Sequence, residues 1–153
     1  MQTLDSIDHI LIKELQKDCK QSIKQLANKV SLSITPTHER IKKIESSGII
    51  KKYVGLVDSS IVGKNLIVYC QVTLVKHQEK YFKQFEKYVA EIDEIMEVSY
   101  IAGDYDFLLK ILLRDMVEYQ EFVVKKISQL DIISNLKSSF IIKQVKSTTE
   151  ISL

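Results

Sequence analysis

Over the first 48 residues apolar positions recur every three or four places, in three short blocks. Leu4, Ile7, Ile10, Leu11 and Leu15 predict a helix over Leu4 to Leu15, with Asp5 placed as N-cap and Asp8 favouring the positive end of its dipole. Ser22-Ile-Lys-Gln25 is a capping-box pattern, and Ile23, Leu26, Ala27 and Val30 form the inward face of the helix it opens. After the break Ser31-Leu32-Ser33 a third helix is expected. Ser33 is its cap, Pro36 falls in its first turn, and Gly48 ends it in a left-handed cap. Ile34, Thr37, Ile41 and Ile44 are its expected inward residues. Ile49 to Val57 then reads as extended, with a connector through Asp58, Ser59, Ser60 and Gly63.

The pattern changes after residue 65. Leu66 to Val75 is aliphatic, aromatic or β-branched almost throughout, which predicts a buried strand. Glu79 to Val89 carries Phe82, Phe85, Tyr88 and Val89 on one helical face. Strands are expected over Ile95 to Ala102 and Tyr105 to Leu113, with Gly103-Asp104 as the hairpin turn between them. Asp115 caps a second helix facing inward through Tyr119, Phe122, Val123, Ile127 and Leu130, and Leu136 to Val145 is the last strand. The order βαββαβ is the split-βαβ, ferredoxin-like arrangement. The fold class is therefore α+β, with a helix-turn-helix domain over 1–58, a connector to about 65, and a ferredoxin-like domain over 66–153.

A sheet with helices on one face should alternate apolar and polar residues. These strands do not. Leu108 and Leu112 lie opposite the face of Phe107, Leu109, Ile111 and Leu113, and Ile67 and Tyr69 oppose Val68, Cys70, Val72 and Leu74. Water does not tolerate that much apolar surface on a monomer, so a second copy is expected to cover the far face.

Composition adds limits. With 45% hydrophobic and 27% charged residues the chain is that of a globular protein. The longest apolar runs are broken well short of the ~18 residues of a membrane span, and the N-terminus lacks the pattern of a secretory signal, so a cytoplasmic protein is expected. Cys19 and Cys70 fall in different domains and are taken as reduced. His9, His38 and His77 have no metal-ligand spacing, and no nucleophile and base, phosphate loop or metal cluster is legible. No enzyme activity, cofactor or metal is expected. The net charge of +2 is unevenly spread: ten Lys/Arg against seven Asp/Glu through Asp58 make +3, and the remainder is −1. That displacement points a polyanion toward the N-terminal domain.

Two short helices joined by so tight a turn, with small Ala27 at their approach, form a helix-turn-helix pattern, whose second helix enters the major groove of double-stranded DNA. Ser33, Thr35, Pro36, Thr37 and His38 at its tip suit base edges, and Arg40, Lys42 and Lys43 farther along suit phosphates. Lys51 follows like a wing. Glu39 is assigned to holding Lys43 or Arg40 rather than to touching DNA.

From Leu4 to its end the chain resembles the Lrp/AsnC (feast/famine) regulators. The resemblance is carried by Leu4-Asp-Ser-Ile-Asp-His-Ile-Leu11, Leu26-Ala27, Leu32-Ser-Ile-Thr-Pro-Thr-His-Glu-Arg-Ile-Lys-Lys-Ile-Glu-Ser-Ser-Gly-Ile-Ile50, Gly103-Asp-Tyr-Asp106 and Ser138-Ser-Phe-Ile-Ile-Lys-Gln-Val-Lys146. It implies a winged helix-turn-helix, a connecting strand, and a RAM-type βαββαβ domain that forms homodimers assembling into octamers or related sizes. It further implies an amino acid or derivative as effector, bordered by Gly103, Asp104, Tyr105 and Asp106, with Ser138 supplying a hydroxyl. The function implied is that of a sequence-specific transcriptional regulator responding to such a metabolite. Ser31 stands where the family's turn usually has Gly, so the turn avoids the left-handed region or Ser31 bears mild strain. Leu136 replaces one hydroxyl of the family's Thr pair.

Two rivals are weaker. Sirohaem decarboxylases resemble the family in both domains but grip an anionic tetrapyrrole with Arg and His, and here only Arg40 and Arg114 occur. A sensing protein that has lost DNA binding would not be expected to retain Ser33, Thr35, Arg40, Lys42 and Lys43.

Overall fold

The computed structural model describes residues 3–153; Met1 and Gln2, which open the expected first domain, lie outside them. The chain forms two compact units, one of residues up to Leu56 together with Lys146–Leu153, the other of Val57–Val145. The last eight residues thus group with the helical unit rather than with the sheet they follow.

In the first unit α1 (Ser6–Lys17), α2 (Ile23–Val30) and α3 (Ile34–Ser46) enclose Leu11, Ile12, Leu15, Leu26, Val30, Ile41 and Ile44. Asp5 caps α1 reciprocally: the Asp8 amide donates to Asp5 Oδ1 at 2.9 Å and the Asp5 amide to Asp8 Oδ2 at 3.2 Å. Ile10, expected inside, is exposed, and Ile12 takes its place, because the buried seam through Leu11 and Leu15 has Ile12 on its covered flank and Ile10 on the other. Ser22 and Gln25 form the expected capping box. In the tail, the Ile151 amide donates to Gln16 Oε1 at 2.7 Å and Gln16 Nε2 to the Ile151 carbonyl at 3.0 Å.

Ile49–Val57, expected to be extended, forms no strand: the backbone bends at Ile49 and Ile50, and the residues after them have no strand partner among the described residues. Tyr53 in this stretch donates to Glu45 Oε1 of α3 at 2.8 Å. Desolvation, then the neighbouring Glu45 carboxylate, push the Tyr53 phenol up to about 12.

The second unit is β1 (Leu66–Leu74), α4 (Glu79–Val89), β2 (Ile95–Tyr100), β3 (Phe107–Leu113), α5 (Met116–Phe122) and β4 (Ile133–Phe140), with a π-helical turn over Val123–Ile127 prolonging α5. The sheet order is β2-β3-β1-β4, all pairs antiparallel, which is the ferredoxin-like topology. Phe85 and Val89 of α4, Phe122 of α5 and Ile127 of the turn that prolongs it pack on Val68, Cys70, Val72, Phe107, Leu109, Ile111 and Leu113, so both helices cover one face. On the other face Ile67, Tyr69, Leu108 and Leu112 are half-buried, and among the described residues no helix packs over them.

Three boundaries in the sheet unit differ from expectation by two residues or more. β4 starts three residues earlier than Leu136 and ends at Phe140; Ile142 and Val145, apolar enough to suggest a strand, are exposed. Its register is set by pairing to β1, where Cys70 faces Ser138 and Val72 faces Leu136, with an irregularity at Thr73/Leu74. Second, β2 and β3 are joined by a six-residue loop over 101–106 instead of a two-residue turn at Gly103-Asp104. Gly103 is not at positive φ, so no primed hairpin turn forms there. Third, β3 begins at Phe107, because Tyr105 and Asp106 belong to that loop. No helix among the described residues is long and apolar enough to cross a membrane.

Candidate nucleic-acid interface and effector loop

The turn between α2 and α3 resolves the question posed by Ser31. Its φ of 55° and ψ of 40° are left-handed, the only non-glycine at positive φ among the described residues. The Leu32 amide donates back to the Ala27 carbonyl at 3.1 Å, a Schellman closure in which Ser31 occupies the position that favours glycine. Gly48 ends α3 with φ 76°, as expected.

At the start of α3 two side chains do other work than predicted. Ser33 is the N-cap, yet its hydroxyl makes no cap bond, because the residue at N3 is Pro36, which has no amide hydrogen to offer. The Ser33 carbonyl instead accepts from Thr37 Oγ1 at 2.9 Å. Thr37 is fully buried with its hydroxyl satisfied in this way, so it is a core residue and its side chain has no route to a base edge. Ile34, expected inside, is more than half exposed. A helical side chain leans over the turn N-terminal to it, and at the first residue of α3 no helical turn precedes it.

Arg40 also departs from its expected place. Its Nη1 lies 2.7 Å from both Asp5 Oδ2 and Asp8 Oδ1, tying α3 to the cap of α1. The Asp8 amide first, and Arg40 second, hold the Asp5 carboxyl below its usual range. Similarly, Lys29 of α2 pairs with Glu14 of α1. By contrast Thr35, His38, Glu39, Lys42 and Lys43 are exposed, and among the described residues none of their side chains makes a hydrogen bond or ion pair. Pro36 is half-buried on the flank of this face, and Lys51 is exposed on the irregular stretch after α3.

In the second unit Gly103 and Asp104 are exposed at the tip of the loop and Tyr105 is half-buried. A Cβ on Gly103 would meet only Ile101 Cγ2, at an ordinary 3.8 Å, so nothing in this chain's own packing requires glycine there. Asp106 anchors the loop. It is buried; its amide donates to the Val72 carbonyl at 2.9 Å, its Oδ2 accepts from the Leu74 amide at 2.7 Å, and its carbonyl accepts from the Ile101 amide at 2.8 Å. Its remaining oxygen, Oδ1, is 3.2 Å from Nε2 of the exposed His77. The sequence places His77 only as a histidine without metal-ligand spacing, and no spacing signal links it to a residue 29 positions away.

Ser138 is not brought to this loop. It lies on β4 opposite Cys70, while the loop joins β1 at Val72 and Leu74. Its oxygen accepts from Tyr119 at 2.7 Å and lies 3.2 Å from Cys70 Sγ. Burial, partly offset by that serine contact, pushes the Cys70 thiol up. No group of His, Cys, Asp and Glu among the described residues has the arrangement of a metal site.

Comparison with known proteins covers both units. Residues 4–51 match the winged helix-turn-helix DNA-binding family, and residues 67–151 match the Lrp/AsnC ligand binding domain. The chain is 33% identical to the DNA-binding transcriptional activator DecR of Escherichia coli over 98% of its own length and 99% of the relative's. To the leucine-responsive regulatory protein of Haemophilus influenzae it is also 33% identical, over 95% and 87% of the two chains. Among solved structures, an AsnC family transcriptional regulator from Agrobacterium tumefaciens superposes with a TM-score of 0.93 at 32% identity, covering 97% of each chain. A transcriptional regulator from Neisseria meningitidis in complex with L-Met superposes with a TM-score of 0.94 at 26% identity, covering 98% and 97%.

Proposed function

The chain belongs to the Lrp/AsnC family of DNA-binding transcriptional regulators, and from that premise we propose how its side chains divide the work. The single observation that carries the assignment is the asymmetry of α3: Thr37, Ile41 and Ile44 are buried, whereas Thr35, His38, Lys42 and Lys43 face outward without partners among the described residues. Thr35 and His38, near the helix start, read base edges, and Lys42, Lys43, Lys51 and the uncommitted Ser33 hydroxyl bind phosphates. Arg40 and Thr37 act as positioning residues that set the angle of α3 against α1 and the α2 turn. Pro36 keeps the third amide of α3 from demanding a cap.

The loop over 101–106 is the effector site, and the ligand is an α-amino acid or close derivative. The L-Met complex of the Neisseria regulator supports that class. Exposed loop amides suit a carboxylate and Asp104 suits an ammonium, while Asp106, already committed to β1, holds the loop in place. A second copy covers Ile67, Tyr69, Leu108 and Leu112, giving a homodimer with two recognition helices for two half-sites, able to assemble further into an octamer or similar ring. The domain boundaries at residues 58 and 66 follow the same division, apart from the tail. The reading gives the chain no catalytic step and a cytoplasmic site of action.

Gel-shift titration at several salt concentrations tests the DNA assignment. Lys42→Ala weakens binding to all sequences alike and flattens the salt dependence, while Thr35→Ala relaxes preference at one base position. Equal effects of both variants on specific and random duplexes would refute the division of roles. For the effector, a thermal shift with an amino-acid panel is expected in the unmutated protein and is lost in Asp104→Ala.

A further inference from the structure

We infer that Glu39 is a base-reading residue, making the protein select a cytosine at one position of each operator half-site. The inference rests on α3 being the recognition helix. With Thr37, Ile41 and Ile44 turned inward and about 100° between successive residues, the opposite line of α3 runs through Thr35, Glu39, Lys42 and Ser46. Glu39 lies close to the middle of that line.

The nearby cations of α3 do not neutralise it. Arg40 is held by Asp5 and Asp8 at 2.7 Å each, and among the described residues neither Lys42 nor Lys43 nor any other group bonds the Glu39 carboxylate. A bare carboxylate in the centre of a face that meets a polyanion weakens sequence-independent attraction to phosphate. It is repaid only where the duplex offers it a donor. The major groove presents two, the N4 amine of cytosine and the N6 amine of adenine. In adenine the acceptor N7 sits beside N6, and an ionised carboxylate, which only accepts, is repelled there. Cytosine is the base it fits. Glu39 is also the sixth residue of the helix, in the part that reaches base edges, with Lys42 and Lys43 about a turn farther along toward the phosphates.

The test is selection of duplexes from a randomised library by the full-length protein and by Glu39→Gln and Glu39→Ala, followed by sequencing. Glu39 is exposed, so both variants are expected to fold, which circular dichroism checks. The unmutated protein should enrich a cytosine at one position per half-site, by about tenfold over other bases. Glutamine both donates and accepts, matching adenine N6 and N7, so Glu39→Gln should turn that preference to adenine. Glu39→Ala should lose preference at that position alone and bind random duplex several-fold more tightly. Identical enriched sequences for all three proteins would overturn the inference while leaving α3 as the recognition helix. Failure of the unmutated protein to enrich any sequence would overturn that assignment too.

Discussion

The two units solve the same problem, a closed core, with different means. In the helical unit eight apolar residues, small Ala27 among them, are buried among the described residues, and ion pairs lock the helices from outside: Arg40 to Asp5 and Asp8, Lys29 to Glu14. In the sheet unit fourteen buried residues form the core, and polar side chains such as Asp106 and Tyr119 tie strands and helix together from within. The difference separates architecture from recognition. Side chains already committed to a partner set geometry; those left without one on α3 and at the tip of the 101–106 loop remain available to a ligand.

Core truncation is the strongest way to sharpen the contrast. Phe85→Ala should cost the sheet unit about 3–5 kcal/mol and Leu26→Ala the helical unit about 2–5 kcal/mol. The smaller core has less to lose, so chemical denaturation followed at both units should show Leu26→Ala abolishing DNA binding while the sheet stays folded. A single transition shared by both units in both variants would break the distinction. Next in size is Asp106→Ala, which strands the buried Leu74 amide and should cost about 1–3 kcal/mol. It should also remove the amino-acid response without altering DNA affinity in the absence of effector. Asp104→Ala, at the exposed tip, should remove the response with no stability loss, so the pair distinguishes anchoring from contact.

Smaller is Ser31→Gly. Relief of the left-handed strain, less the greater freedom glycine brings to the unfolded chain, should raise the stability of the helical unit by about 1 kcal/mol at most, measured by urea denaturation. A loss of stability instead would mean that the serine hydroxyl contributes something the backbone geometry does not require. The subtlest concerns pH. The Arg114 amide, at 2.5 Å, and Lys64, at 2.9 Å, hold the Glu118 carboxyl down to about 2. A depressed folded value means that its stabilisation is complete above the ordinary glutamate range and fades as pH falls from about 4.5 toward 2. Glu118→Gln should therefore flatten the acid limb of the melting temperature of the sheet unit and leave that of the helical unit unchanged.

The elements were legible because their signals are local. The 3.6-residue period marks α1 to α3, continuous apolar runs mark β1 and β3, and the caps at Asp5, Ser22 and Asp115 lie within three residues of what they satisfy. Ser33 failed as a side-chain cap for an equally local reason, the proline three residues on. What could not be read is where a polar side chain finds a partner far along the chain. Arg40 reaches back 35 and 32 residues to Asp5 and Asp8, Asp106 reaches Leu74, and Tyr119 donates to Ser138. Residue type, periodicity and the family resemblance place them instead as a phosphate contact, a packing residue and an effector ligand.

From the amino-acid order alone came the fold class, the helix-turn-helix and most of the outward face of α3, since periodicity decides which side of a helix is buried. Tertiary structure alone decided which outward charges are spoken for and where β4 lies in the sheet. Register and ion pairing are set by backbones and side chains meeting across tens of residues, and a pattern with a period of two or 3.6 holds no information about such meetings.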